Sequence, residues 1–187
     1  MVFEYRVRSA LGLGSPKKLL DRAALQPGQT VVDWGCGPGR VTIDAARLVG
    51  RGKVIAVDIE PLALEIVREK AARLGVQNVE TVLLESYPAA VPAASVDVVL
   101  LVDTFHAVED RIGLLADIAR ILKPQGRLLM DPGHMDLERA RSIVEQTGLF
   151  LPAGSWGRDM SWILRPEQPV IDPFGRSQQL EETLHLL

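Results

Sequence analysis

The chain has 187 residues, one domain's length, with 47% hydrophobic and 24% charged residues, which excludes a disordered tail and a collagen-like repeat. Its 21 basic and 24 acidic residues leave a formal charge of −3, which argues against a dedicated nucleic-acid or anionic-membrane binder. The single cysteine, Cys36, excludes an intrachain disulfide and a multi-cysteine metal site, and with no signal-like N-terminus and no apolar run of ~18 residues a reduced, cytoplasmic setting is expected.

Taken in chain order, Ser15-Pro16 reads as an N-cap and first-turn proline for a helix through Ala24. Thr30 to Asp33 reads as a short buried strand, and Gly35 to Gly39 as a turn. Val41, Ala45, Leu48 and Val49 fall at helical spacing, and Gly50 stops that helix. Lys53 to Asp58 is a second strand. Pro61 opens a helix striped by Leu64, Val67, Ala71 and Leu74, which Gly75 ends. Val79 to Leu84 is a third strand. Ser95 to Val102 is a fourth, apolar enough to be buried on both faces. Ile112 to Leu122 is a helix closed by Pro124 and Gly126. Arg127 to Met130 is a fifth strand, and Leu137 to Thr147 a further helix. Phe150–Trp156 and Met160–Arg165 read as two antiparallel strands joined near Gly157. Pro166 to Gly175 reads as an extended linker, and Gln178 to Leu187 as a terminal helix.

Alternation of strand and helix implies parallel strands with right-handed crossovers and helices on both faces, a doubly wound α/β sheet. The expected organisation is one domain over residues 1–165. Within it, 1–28 form an N-terminal helical segment and 29–165 the sheet core, followed by a tail over 166–187.

In such a sheet, ligands sit outside the carboxyl ends of the strands. Gly35, Gly37 and Gly39 follow the first strand, where glycines let backbone approach a ligand and helix N-terminal amides face its anionic groups. A dinucleotide fingerprint needs a glycine where Arg40 stands, and Asp33 would repel a phosphate but suit a cationic ligand. Asp58 lies about 20 residues beyond the glycines, the spacing at which a carboxylate accepts both hydroxyls of a ribose. Glu85, at the third strand's end, is placed to read an exocyclic amine. For each of these, a plain turn or a solvated acid is the competing reading.

The segments VVDWGCGPGR, VIAVDIE, VDVVLLVDTFHAVED and LADIARILKPQGRLLMD together resemble the class I S-adenosylmethionine-dependent methyltransferase family, nearest its ubiquinone/menaquinone-type small-molecule branch. The resemblance runs from Ser15 to Asp131 and on to Arg165. It implies a seven-stranded Rossmann-like sheet whose last strand is antiparallel, in keeping with the C-terminal hairpin. It also implies S-adenosylmethionine as cofactor. Gly35, Cys36, Gly37 and Gly39, with the backbone around Asp33, would then pack against the methionine part. Asp58 would hold the ribose, Ile59 would lie against adenine, Glu85 would take its amine and the Ser86 backbone would flank the ring. Asp103 would lie near the methionine amino group or the transferred methyl. The family usually has Asp at the position of Glu85, an aliphatic residue at Trp34 and KPGG where this chain has KPQG.

Methyl transfer from a sulfonium asks the protein for alignment and desolvation and for a general base only where the acceptor is poorly ionised. His106 is the first base candidate and His134 the second, with a packing histidine as the competing reading. Asp131 is a candidate for the acceptor pocket. The chain lacks the (N/D/S)PP(Y/F) motif of base-amino methyltransferases, a catalytic cysteine after the fourth strand, and the cysteines of arsenite methylation. No metal site is expected. A small organic acceptor fits best. Its site is either open or completed by a second subunit, as in a homodimer, with Phe3, Tyr5, Phe105, Trp156 and Trp162 as candidate walls. A catalytically silent scaffold that binds S-adenosylmethionine or S-adenosylhomocysteine, a protein or RNA methyltransferase, and a nicotinamide oxidoreductase are the alternatives.

Overall fold

The computed structural model describes residues 16–165. The chain divides after Glu85 into two compact units. The predicted terminal linker and helix lie outside the described residues, as do Phe3, Tyr5 and His185.

In the first unit, helix α1 spans Pro16–Ala23, and β1 (Thr30–Trp34) leads through the glycine turn to α2 (Thr42–Val49). β2 (Lys53–Asp58), α3 (Pro61–Arg73) and β3 (Val79–Leu83) follow. β1 and β2 run parallel from Thr30↔Lys53 to Trp34↔Val57, and β2 and β3 from Val54↔Val79 to Asp58↔Leu83. The β-branched runs explain the pairing: Val31, Val32 and Val54 to Val57 are all buried, covered by α2 and α3. From α2 the faces of Ile43, Ala46 and Val49 are buried, and from α3 those of Leu64, Val67 and Ala71. Each fully buried Val, Leu or Ile contributes about 1.5–3 kcal/mol relative to exposure. Pro61 does open α3, where its missing N–H costs nothing, and Glu60 caps it by accepting from Leu62 N.

The second unit holds β4 (Val96–Val102), a 3-10 turn (Phe105–Ala107), α4 (Arg111–Ile121), β5 (Leu122–Asp131), α5 (Leu137–Gln146), β6 (Phe150–Trp156) and β7 (Asp159–Leu164). β4 and β5 are parallel, while β5 pairs with β7 and β7 with β6 antiparallel. The strands form a seven-stranded sheet in the order β3-β2-β1-β4-β5-β7-β6. This is the mostly parallel, doubly wound arrangement with an antiparallel C-terminal hairpin that the sequence predicts.

Most boundaries fall within a residue of expectation, and the one between α4 and β5 departs further. α4 gives way to β5 at Leu122, so Pro124 and Gly126 do not close the helix but lie inside the strand. Leu122 pairs with Val96 and the ladder resumes at Val98↔Arg127, so Lys123 to Gly126 bulge out opposite Asp97. Gln125 takes a φ of 63°, and Lys123 Nζ donates to Asp97 Oδ1 at 2.8 Å. A proline with no N–H to give and a left-handed residue suit a bulge as well as a helix stop. Among the described residues no helix is long and apolar enough to cross a membrane.

Candidate active site

β1 ends at Trp34 and the chain turns at once through Gly35-Cys36-Gly37-Pro38-Gly39. The three glycines have φ of 72°, 50° and 69°, which L side chains rarely adopt. The loop is tied to β2 by Gly35 N and Cys36 N, which donate to Val57 O at 2.8 and 3.1 Å. From α3, Lys70 Nζ donates to Gly39 O at 2.8 Å. A Cβ on Gly39 would stand 3.0 Å from Val67 Cγ2, so this glycine lets the loop close onto α3. The close-packing role that a dinucleotide fingerprint gives to its third glycine is thus met one residue before Arg40.

Asp58, at the end of β2, is the hub of this loop. Its Oδ2 accepts from Gly37 N at 2.7 Å and its Oδ1 from Glu60 N at 2.9 Å. Each oxygen keeps a further lone pair for a hydroxyl donor. Beside it Ile59 is 74% exposed, a large apolar side chain held in the open at a strand's carboxyl end. β3 stops at Leu83, and Leu84 N donates to Asp58 O at 2.9 Å. Glu85 is exposed just past this last bond, and Ser86, also exposed, opens the second unit.

Asp33 is placed differently from an acid that meets a ligand with its side chain. It is 3% exposed, and its Oδ2 accepts from Thr42 Oγ1 at 2.6 Å. Burial pushes its carboxyl up to about 6, with the Thr42 hydrogen bond opposing and the Asp58 charge adding to the rise. It ties β1 to the start of α2. Cys36 is buried against Ala56, Leu64 and Val67, and burial drives its thiol far up, so it is an inert packing group.

In the second unit, Asp103 follows β4 with a φ of 52°, and its N–H donates to Asp131 O at 3.0 Å. His106 lies in the 3-10 turn, its Nδ1 3.8 Å from Asp103 Oδ1. His134 follows β5, and its ring meets that of His106 edge-to-face at 5.2 Å. The two histidines are 28 residues apart in sequence, and the parallel pairing Val102↔Asp131 brings their loops together. Asp131, at the end of β5, accepts from Gly133 N at 3.0 Å, and burial raises its carboxyl. Phe105 and Trp162 are fully buried and belong to the core rather than to a pocket wall; Trp156 is 42% exposed. Thr42, Lys70, Arg111 and Arg158 support these groups without a sequence signal: Lys70 and Arg158 act on partners more than 20 residues away, and Thr42 and Arg111 on nearer ones that no residue pattern marks.

Residues 31–126 match the family described as "Methyltransferase domain". The chain is 35% identical over 128 residues to the ubiquinone/menaquinone biosynthesis C-methyltransferase UbiE of Escherichia coli O1:K1, covering 67% of this chain and 49% of that protein. It thus spans about half the length of the curated relatives it matches. A solved S-adenosylmethionine-dependent methyltransferase from Aquifex aeolicus superposes with a TM-score of 0.76 at 26% identity, covering 84% of this chain and 93% of that one. The YcgJ protein of Bacillus subtilis shares the fold, with a TM-score of 0.63 at 22% identity over 75% of this chain and 70% of its own. By the family match over residues 31–126 and the likeness to these methyltransferases, this chain belongs to the class I S-adenosylmethionine-dependent methyltransferase family.

Proposed function

We propose that the chain, as one methyltransferase domain over residues 1–165, transfers a methyl group from S-adenosylmethionine to a small-molecule acceptor in the cytoplasm. The observation that carries this reading is the double engagement of Asp58. Its carboxylate fixes the glycine loop through Gly37 N and the start of α3 through Glu60 N, and keeps lone pairs for two ribose hydroxyls. Exposed Ile59 then offers an apolar face to adenine, and Glu85 a carboxylate to its amine. The loop of Gly35, Cys36, Gly37 and Gly39 presents backbone to the methionine part, and the Ser86 backbone flanks the ring. Asp33 acts through Thr42 as a positioning residue. The donor supplies an activated methyl on a cationic sulfur; the acceptor's lone pair forms the new bond to carbon as the carbon–sulfur bond breaks. Asp103 serves the methyl end, and His106 takes the proton an acceptor hydroxyl or amine must lose.

Calorimetric titration of the purified chain with S-adenosylmethionine, S-adenosylhomocysteine and NADH tests the cofactor. Micromolar binding of both sulfur ligands without NADH is expected. Preference for NADH overturns the reading. Transfer of labelled methyl to a panel of phenols, quinols and amines then separates an enzyme from a silent scaffold.

A further inference from the structure

We propose that Asp103, His106 and His134 form a binding site for one divalent transition-metal ion at the carboxyl ends of β4 and β5. The three residues each offer one ligand atom, and these atoms all lie within 4.8 Å of one another. Ligands on a tetrahedral ion with bonds of about 2.1 Å stand about 3.4 Å apart, so side-chain rotations of about 1 Å close the set. His106 Nδ1 and Asp103 Oδ1, at 3.8 Å, are nearly there.

Two features set this cluster apart from a chance meeting of polar groups. His106 Nδ1 is buried with no hydrogen-bond partner. A buried polar atom left unpaired is costly and rare, and a lone pair aimed at a cation resolves it. Gly133 has a φ of 67°, and a Cβ there would collide with both His106 Nδ1 and Asp103 Oδ1. The backbone before His134 therefore approaches the other two ligands as closely as glycine alone allows.

The backbone carrying both imidazoles is also clamped. Arg111 donates from Nε to Phe105 O at 3.2 Å and from Nη2 to His106 O at 3.0 Å. Arg158 donates from Nη2 to Gly133 O and, at 2.9 Å, to Met135 O, bracketing His134. Of the two guanidiniums beside the site, that of Arg158 is met by Asp131 Oδ1 at 3.8 Å, and that of Arg111 is turned to the carbonyls of Phe105 and His106. Supports of this kind fix ligand orientation in metal sites. Two imidazoles and a carboxylate suit Zn2+, Fe2+, Co2+ or Ni2+ over Mg2+ and Ca2+. With three protein ligands, such a site keeps a position open for water or an acceptor's oxygen.

The test uses the full chain, stripped with chelator and free of methyl donor, so its failure leaves the methyl-transfer reading untouched. Zn2+ is titrated by calorimetry and Co2+ by its visible d–d absorption. One ion per chain is expected, with His134→Ala and Asp103→Asn each weakening binding at least tenfold. His134 is exposed, so its replacement should leave the fold intact, which circular dichroism checks. Cys36→Ser and His185→Ala should bind as tightly as the parent. No binding below millimolar metal, or binding that survives His134→Ala and is lost in Cys36→Ser or His185→Ala, overturns the proposal.

Discussion

Replacing Asp58 by asparagine separates its two roles. The carboxylate faces two backbone donors, Gly37 N at 2.7 Å and Glu60 N at 2.9 Å. Asparagine has one carbonyl oxygen and one amide nitrogen, so either orientation sets a donor against a donor. One hydrogen bond to a charged acceptor is lost, about 1.5–3 kcal/mol. For a chain of this length each kcal/mol moves Tm by about 2–4 °C, so the ligand-free protein should melt roughly 3–12 °C lower. The ribose also loses a charged acceptor, and a further 1.5–3 kcal/mol corresponds to roughly 10- to 150-fold weaker S-adenosylhomocysteine binding. Scanning fluorimetry without ligand reads the first effect, and calorimetry with S-adenosylhomocysteine the second. A lowered Tm with unchanged affinity would leave Asp58 as a loop anchor and remove it from the ribose. An unchanged Tm would refute the anchoring argument itself.

Asp33 makes stability depend on pH in an unusual direction. Its folded carboxyl sits near 6 against 3.8 unfolded, so the native state binds the extra proton. Stability is therefore full below 3.8 and falls by about 3 kcal/mol as pH rises through about 6. Urea unfolding of the parent and of Asp33→Asn across pH 4.5–7 checks this, and a parent-to-variant difference that stays constant with pH would sink it. Asp117 is 4% exposed and holds Ala89 N and Arg120 Nε, both at 2.6 Å, while Arg120 also donates to Ala89 O and Val91 O. Asp117→Ala leaves the Ala89 N–H without its acceptor and removes Arg120's charge partner, and should cost about 1–3 kcal/mol in urea; a loss below about 0.5 kcal/mol would show the network to be dispensable.

Where a local pattern decides the structure, the sequence is a sufficient guide. Lys53 to Asp58 is β-branched, bounded by Gly52 and followed by Pro61, and its strand has the predicted ends. The hairpin is legible for the same reason, with Gly157 at φ 63° between two runs. KPQG is misread because proline and glycine mark any break in a ladder, and only the Leu122↔Val96 pairing says that a strand has already begun. The site divides in the same way. The glycines and Asp58 carry a spacing signal. Asp33 looks like a ligand-facing acid until Thr42 is seen to hold it inside, and nothing in the spacing of Gly133 marks it as the wall of a histidine cluster.

The polar groups that the sequence pattern does not explain share a physical purpose. In the first unit the glycine loop is held by groups of the chain itself: the Val57 carbonyl, the Asp58 carboxylate and the Lys70 ammonium. A glycine-rich loop is otherwise the segment with the most conformational freedom to lose on binding. Fixing it beforehand moves that entropic cost into folding, where the packing of α2 and α3 against the strands offsets it. In the second unit Arg111 and Arg158 do the same for the turns that carry His106 and His134, each by donating to backbone carbonyls. Backbone anchoring fixes where the two turns stand. A neutral imidazole has one lone-pair nitrogen, so His106 can serve as a base or as a metal ligand but not as both at once, and a bound ion would take that ring out of base chemistry.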